Sequence, residues 1–401
     1  MTPQFADRVQ DVPRSFIREI LKIALDPSVI SFAGGLPNRD YFPVEALKSA
    51  TQSAMDRYGS DLLQYGNSEG FPPLRDHIAR SYRERFGVEV SPDRVIVTAG
   101  SQQGLDLLGK ILVNEGDGVV IEEPGYLGAI QALSIYRPNF LPVPVSGIGM
   151  DTKKLASTLE GTAEREESLP PKLIYTVPNF QNPSGISYSR ANRGEVADAI
   201  AGYSTWLIED DPYGELRFSG EPKPSFLEIA PEQTIALGSF SKTVVPGFRL
   251  GWIVVPDSLI DKLIIAKQAT DLHTSHFTQA IVHTFLTEHD VATHLDRIRV
   301  VYGRQCEAMK GSIARHFPAD VGITNPEGGM FLWATLPDSI AALDLFDIAA
   351  TDRVVFVPGD PFYIDRERLN TMRLNFSCVD EETIEIGISR LGRAIEKLSR
   401  E

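Results

Sequence analysis

Lys242 stands between two hydroxyl residues in the stretch GSFSKTVVPGFRLGW, residues 238–252, with Arg249 seven positions further on. The run just before it, TIALG, reads as a buried strand. A lysine delivered by such a strand loses water, and desolvation favours its neutral form. A partly neutral lysine is a nucleophile toward aldehydes. A solvated loop lysine is the other reading of the same turn. What the ends of the other strands carry has to decide between them.

Between about Arg94 and Pro256, short apolar runs alternate with helical patterns. RVIVTAG, GVVIEEP, FLPVPV, KLIYTVP, TWLIEDD, TIALGS and GWIVVP read as seven strands, several of them apolar throughout. Strands of that kind are buried on both faces, with helices covering each side. SQQGLDLLGKILVNEG is an intervening helix, with Leu105, Leu108 and Leu112 on one stripe. The charged, proline-containing stretch GTAEREESLPPK, residues 161–172, reads as a surface connection. After about Leu259 the pattern turns helical up to His316. It then gives GGMFLWATL, RVVFVPG and TMRLNFS and closes on a helix near Ala394. The expectation is an α/β protein: a large domain with a mostly parallel seven-stranded sheet between helical layers, and a smaller α+β domain. In open sheets of this class, ligands bind beyond the carboxyl ends of the strands.

Those ends carry an uneven set of residues. AGSQQG follows RVIVT and leads into a helix, so Ser101 and Gln102 would offer free backbone N–H groups to a phosphate; a tight turn with an N-cap is the alternative. Asn182 lies in the turn NFQNPSG, where its amide either shapes the turn or meets a ring oxygen. Glu209, Asp210 and Asp211 end the run TWLI, followed closely by Tyr213. Acids there are costly unless solvated or paired with a cation, and Asp210 is the candidate partner of a protonated ring nitrogen. Tyr126 in EEPGYLG could lie flat on a planar ligand or be an ordinary packed tyrosine. Arg373, between Met372 and Leu374, either meets a carboxylate with its fork or points to water from an edge strand. Together these are a phosphate cradle, an aromatic stack, a ring-oxygen donor, an acid for a ring nitrogen, a nucleophilic lysine and a carboxylate fork. Pyridoxal phosphate chemistry needs that set.

Composition narrows the classes. The 401 residues carry a formal charge of −15, which argues against nucleic acid as the main partner. Two cysteines, Cys306 and Cys378, are too few for a disulfide framework and fit a reducing compartment. No cysteine–histidine cluster has zinc-ligand spacing, so no metal is expected. MTPQFADRVQDVPR has no apolar core of a secretory signal, and no run approaches the roughly 20 apolar residues of a membrane helix. A cytoplasmic protein with neither nucleic-acid nor membrane partners is expected.

ISFAGGLPNRDYFP, QYGNSEGFPPLR, TAGSQQGLDLLGK, EEPGYLGAIQAL, VPNFQNPSG, EDDPYGELRF, GSFSKTVVPGFRLGW and MRLNFS span nearly the whole chain. In these segments the chain resembles the fold type I, class I/II aminotransferases. AKQATDLHT (residues 266–274) and FVPGDPFY (residues 356–363) resemble the 2-aminoadipate aminotransferase group. The resemblance implies an N-terminal segment 1–47, a cofactor-binding domain over 48–285 and a small domain over 286–401. It implies pyridoxal 5'-phosphate as cofactor, joined covalently by Lys242, with Asp210 at the pyridine nitrogen and Tyr126 stacked on the ring. Tyr213 and Asn182 would hold the phenolic oxygen. Ser101, Gln102, Ser239, Ser241 and Arg249 would hold the phosphate. Tyr65 would reach it from the neighbouring subunit of a homodimer with shared active sites. Arg373 would grip the substrate α-carboxylate, helped by the backbone of Gly34 or Gly35, and Arg18 in SFIREILK would meet a distal carboxylate.

The implied reaction moves an amino group between an amino acid and a 2-oxo acid by ping-pong kinetics, with glutamate and 2-oxoglutarate as one pair. The other pair would be 2-aminoadipate or a branched-chain, aromatic or alanine-type substrate. A β-lyase or decarboxylase could use the same lysine. An aminotransferase-like sensor of a bacterial regulator remains a further reading, disfavoured by the acidic charge.

Overall fold

The computed structural model describes residues 5–10, 20, 23, 26–163 and 170–399. Fourteen strands are found among them. β1 (Ile30–Ser31) precedes the eight strands of the large sheet: β2 (Val95–Thr98), β3 (Gly118–Glu123), β4 (Asn139–Ser146), β5 (Gly149–Met150), β6 (Leu173–Thr176), β7 (Trp206–Asp210), β8 (Thr234–Ser239) and β9 (Gly251–Val254). β10 (Gly322–Ile323), β11 (Phe331–Thr335), β12 (Val354–Val355), β13 (Val357–Pro358) and β14 (Thr371–Asn375) follow.

The large sheet has the order β2-β9-β8-β7-β6-β3-β4-β5. β8, β7, β6, β3 and β4 are mutually parallel. β9 is antiparallel to both its neighbours, so β2 points the same way as β8. All seven expected strands are present. The two-residue β5 extends the sheet to eight by folding back antiparallel on β4.

Strand composition explains the layers. Along β2, Ile96 joins one core while Val95 and Val97 join another. Along β6 and β7, Tyr175 and Ile208 face the first core, and Ile174 and Leu207 face a third. This is the period of two expected of a strand. Both faces are apolar because both are covered. Helices Ser101–Leu112 and Asp257–Gln268 contribute Leu105, Leu108 and Leu263 on one side. Helices Pro72–Phe86 and His276–Glu288 supply Leu74, Ile78 and Phe285 on the other. Farther along that second side, Leu155 and Val196 come from helices Thr152–Ala163 and Arg190–Ile200.

The smaller sheet is antiparallel, with the order β10-β11-β14-β13. β14 is an interior strand, with Arg373 opposite Trp333 on β11 and Val357 on β13. The reading of Arg373 as an edge-strand residue in water therefore falls: the side chain is 1% exposed. β1 pairs in parallel with β12, and Asn375 donates its N–H to Phe32 O at 2.8 Å. These bonds lay residues 32–36 alongside β14, at the mouth of the large sheet.

Candidate active site

Because β2, β3, β6, β7 and β8 share one direction, their carboxyl ends open onto one cavity of about 520 Å³. At the end of β2, Gly100 adopts φ +84°, ψ 163°, a backbone conformation open in practice to glycine alone. A Cβ there would lie 2.7 Å from Arg249 Nη2. The helix Ser101–Leu112 begins at this turn, and its first N–H groups have no intrahelical acceptor. Arg249, itself at φ +52°, donates from Nη2 to Ala99 O at 3.3 Å. Ser239 Oγ donates to Ser241 Oγ at 2.9 Å. Backbone donors, two hydroxyls and a guanidinium thus converge beside one glycine, the chemistry of an anion cradle.

Lys242 follows β8. Its Nζ donates to Gly35 O at 2.8 Å, and burial lowers its pKa to about 8. Arg373 and Arg249 push it the same way, with Cys378 opposing. Among the described residues no carboxylate forms an ion pair with Lys242 within 4.0 Å.

Asp210 ends β7. Tyr175 Oη donates to its Oδ2 at 2.8 Å, while Oδ1 is buried without a hydrogen-bond partner among the described residues. Burial raises the Asp210 pKa to about 7; the Tyr175 hydrogen bond opposes this and Asp211 adds to it. The three adjacent acids divide their work. Asp211 accepts from Arg85 Nη2 at 3.0 Å, Asn179 Nδ2 at 2.9 Å and Gly214 N at 2.9 Å. Glu209 accepts from Ser225 and from Phe226 N. Only Asp210 lines the cavity.

Tyr126, Tyr213 and Asn182 complete the wall. Burial pushes the Tyr126 phenol up to about 12 and Tyr213 higher still. Asn182 Nδ2 donates to Tyr213 Oη at 3.4 Å, while its Oδ1 accepts from Arg373 Nη1 at 2.8 Å. Arg373 Nη2 donates to Ala33 O at 2.7 Å, and Nε is buried without a partner among the described residues. Its guanidinium carbon lies 4.4 Å from the Phe331 ring centroid, and burial lowers its pKa to about 10. Gly34 O accepts from Asn375.

Thus Ser101, Gln102, Tyr126, Asn182, Asp210, Tyr213, Ser239, Ser241, Lys242, Arg249, Gly35 and Arg373 meet around one space. Tyr65 does not line it; its side chain is 78% exposed and edge-on to His273 at 5.8 Å. Arg18 lies outside the described residues. The sequence reading missed Tyr175, which lines the cavity and orients Asp210. A tyrosine next to Leu173 and Ile174 in the run KLIYTVP is its local signal.

The family model for aminotransferase class I and II matches residues 29–391. The chain is a class I and II aminotransferase. Aromatic-amino-acid aminotransferase 1 of Thermococcus litoralis is 40% identical over 394 residues, covering 98% of this chain and 94% of that one. A Pyrococcus horikoshii kynurenine aminotransferase, solved in complex with PMP, aligns at TM-score 0.93 and 39% identity, covering 98% of this chain and 97% of that one. An α-aminoadipate aminotransferase from Thermus thermophilus, complexed with N-(5'-phosphopyridoxyl)-L-leucine, aligns at TM-score 0.89 and 38% identity, covering 99% and 98%.

The fold is that of the fold type I aminotransferases, and the cofactor of this aminotransferase is pyridoxal 5'-phosphate. The residues present fit it. The unpartnered Asp210 oxygen suits a ring N–H⁺, the Gly100 turn suits a phosphate, and the unpartnered Arg373 Nε suits a carboxylate. Among the described residues no cluster could hold a metal ion, and no helix is long and apolar enough to cross a membrane.

Proposed function

We propose that this cavity transfers an amino group between an aromatic or 2-aminoadipate-type amino acid and a 2-oxo acid, with glutamate and 2-oxoglutarate as one pair. One observation carries the reading. Lys242, Arg373 and Asp210, whose Oδ1 has no hydrogen-bond partner among the described residues, line the same space.

When bound, pyridoxal phosphate supplies an aldehyde that exchanges amines and a protonated ring that accepts electrons from the substrate α-carbon. Ser101, Gln102, Ser239, Ser241 and Arg249 would hold its phosphate, Tyr126 would pack against its ring, and Asn182 and Tyr213 would hold its ring oxygen. Asp210 Oδ1 would keep the ring nitrogen protonated. Lys242 Nζ would hold the cofactor aldehyde and, when free, would move the substrate α-proton, first as general base and then as general acid. A pKa of about 8 suits both roles near neutral pH. Arg373 binds the α-carboxylate beside Gly34 and Gly35. Since Asn182 bonds both Arg373 and Tyr213, it fixes the carboxylate relative to the ring.

Tyr65 serves the phosphate of a second subunit in a homodimer; its 78% exposure and its place outside the cavity support this. Arg18 meets the distal carboxylate of acidic donors. The aromatic and aminoadipate relatives support the donor class.

A panel of phenylalanine, tyrosine, 2-aminoadipate, alanine and leucine donors, each with and without 2-oxoglutarate, tests the reading. Sustained 2-oxo acid release should require the acceptor. Turnover without acceptor would instead indicate a lyase or decarboxylase.

A further inference from the structure

The segment AKQATDLHT, residues 266–274, has no part in the chemistry above, yet it surrounds a fully buried ammonium. The Lys267 side chain is 0% exposed. Its Nζ donates to Asp271 Oδ1 at 2.9 Å and Oδ2 at 3.1 Å, to Thr274 Oγ1 at 3.0 Å and to Gln103 Oε1 at 3.4 Å. An ammonium has three protons and accepts nothing, so burial is tolerable only where oxygens surround it. A partner for Asp271, which is 26% exposed, could have been placed in water. The lysine instead turns inward, toward the end of β2.

The contact with Gln103 gives that burial a use. Gln103 Oε1 also accepts from Ala99 N at 2.7 Å. A glutamine amide can face either way. Turned over, its NH₂ would oppose both an ammonium and a backbone N–H, so Lys267 selects the orientation that Ala99 needs. Ala99 O in turn accepts from Arg249 Nη2 at 3.3 Å. The chain Lys267–Gln103–Ala99–Arg249 thus runs behind the anion cradle. Thr274 Oγ1 donates to Val97 O at 3.2 Å and ties the same turn to β2.

On its other side, the turn reaches the loop that carries Tyr65. The N–H groups of Thr270, Asp271 and Leu272 all donate to Lys267 O, at 3.0, 3.0 and 3.2 Å. This closes the turn and presents His273. Its Nε2 accepts from Gly66 N at 3.4 Å, and its ring meets Tyr65 edge-on at 5.8 Å.

We propose that Lys267 is a positioning residue for the phosphate end of the cofactor. It sets the Ala99–Gln102 cradle through Gln103, and its ammonium pins, at Asp271 and Thr274, the turn that meets the Tyr65 loop. The inference rests on the reading of this cradle as the phosphate site.

The test compares pyridoxal 5'-phosphate with pyridoxal, which lacks the phosphate, by spectral titration of full-length protein stripped of cofactor. Wild type should prefer the phosphate ester strongly. Lys267→Met should lower that preference on the order of tenfold, as expected for a hydrogen-bond network to a charged group. Binding of pyridoxal should change little. Gln103→Leu leaves the Lys267–Asp271 pair in place and should lower the preference in the same direction, so the test survives if Lys267→Met does not fold. A variant with lower thermal stability but wild-type preference, or equal weakening of both ligands, would overturn the inference. A wild type without preference for the phosphate ester would overturn the phosphate-site reading and this inference with it.

Discussion

Tyr175 Oη donates to Asp210 Oδ2 at 2.8 Å, and the other oxygen of this buried carboxylate has no partner among the described residues. The pair comes from adjacent strands: Tyr175 on β6 is in register with Ile208 on β7, two residues before Asp210. The tyrosine both orients the carboxylate and lowers its pKa against the effect of burial. Tyr175→Phe should therefore reduce kcat/KM roughly tenfold, since a hydrogen bond to a charged group contributes about 1.5–3 kcal/mol. Holoenzyme kinetics with one good donor checks this; unchanged kcat/KM would show that Asp210 needs no brace.

Asp210 and Asp211 should separate cleanly. Asp210→Asn should cut turnover on the order of a hundredfold or more with the fold intact, because a neutral ring nitrogen is a poorer electron sink. Asp211→Asn should mainly lower thermal stability, since its bonds go to Arg85, Asn179 and Gly214. Paired kinetics and melting curves decide, and equal kinetic losses would remove the distinction.

The pH dependence of cofactor binding has a defined sign. Burial raises Asp210 to about 7 in the folded protein. An unfolded carboxyl titrates near 3.9, so the folded state binds the extra proton between about pH 4 and 7. As pH rises through that window, the unpaired Asp210 anion costs stability. A ring cation in the cavity removes the cost. The thermal stabilisation by pyridoxal phosphate should therefore grow more between pH 5.5 and 7.5 in wild type than in Asp210→Asn. Parallel dependence in the two proteins would contradict the pairing. Lys242 behaves in the opposite sense. Its pKa falls to about 8, so covalent capture of the cofactor should accelerate as pH rises through that value.

Gly100 offers a steric test of the cradle. Gly100→Ala must hold a strained backbone, at a cost of about 1–3 kcal/mol, and its methyl would meet Arg249. Cofactor affinity should fall together with stability. Wild-type affinity in this variant would show that phosphate sits elsewhere.

The two arginines should divide substrate recognition. Arg373→Ala should lose a hundredfold or more in kcat/KM for every donor, on the order of two charge-assisted hydrogen bonds. Arg18→Ala should weaken 2-aminoadipate and glutamate and spare leucine. Loss of both donor types, or of neither, would remove Arg18 from distal recognition.

Much of this was legible in the chain. Six of the seven expected strands of the large sheet were readable because each is apolar where helices cover both faces; β4, buried only at Val143, was readable from its apolar run FLPVPV. The residues at their carboxyl ends were readable because a charged group there needs a reason. Tyr175 and Lys267 were not legible as partners of Asp210 and the cradle. That β6 lies beside β7, and that the 270–274 turn returns to β2, are long-range facts without a local signature. Arg373 was ambiguous for the same reason: β14 looks alike as edge or interior until β13 pairs with it. Gln103 has no local signature in the first turn of its helix, and its amide contacts with Ala99 and Lys267 set it apart.

The most direct test of Lys242 as the cofactor-bearing lysine is borohydride reduction of the holoenzyme, followed by peptide mass spectrometry. The expected result is one phosphopyridoxyl group on the peptide containing Lys242, with amino transfer abolished. Lys242→Ala should bind the cofactor through its phosphate contacts, take no label and transfer no amino group. Label on another lysine, or substantial amino transfer by Lys242→Ala, would contradict the assignment.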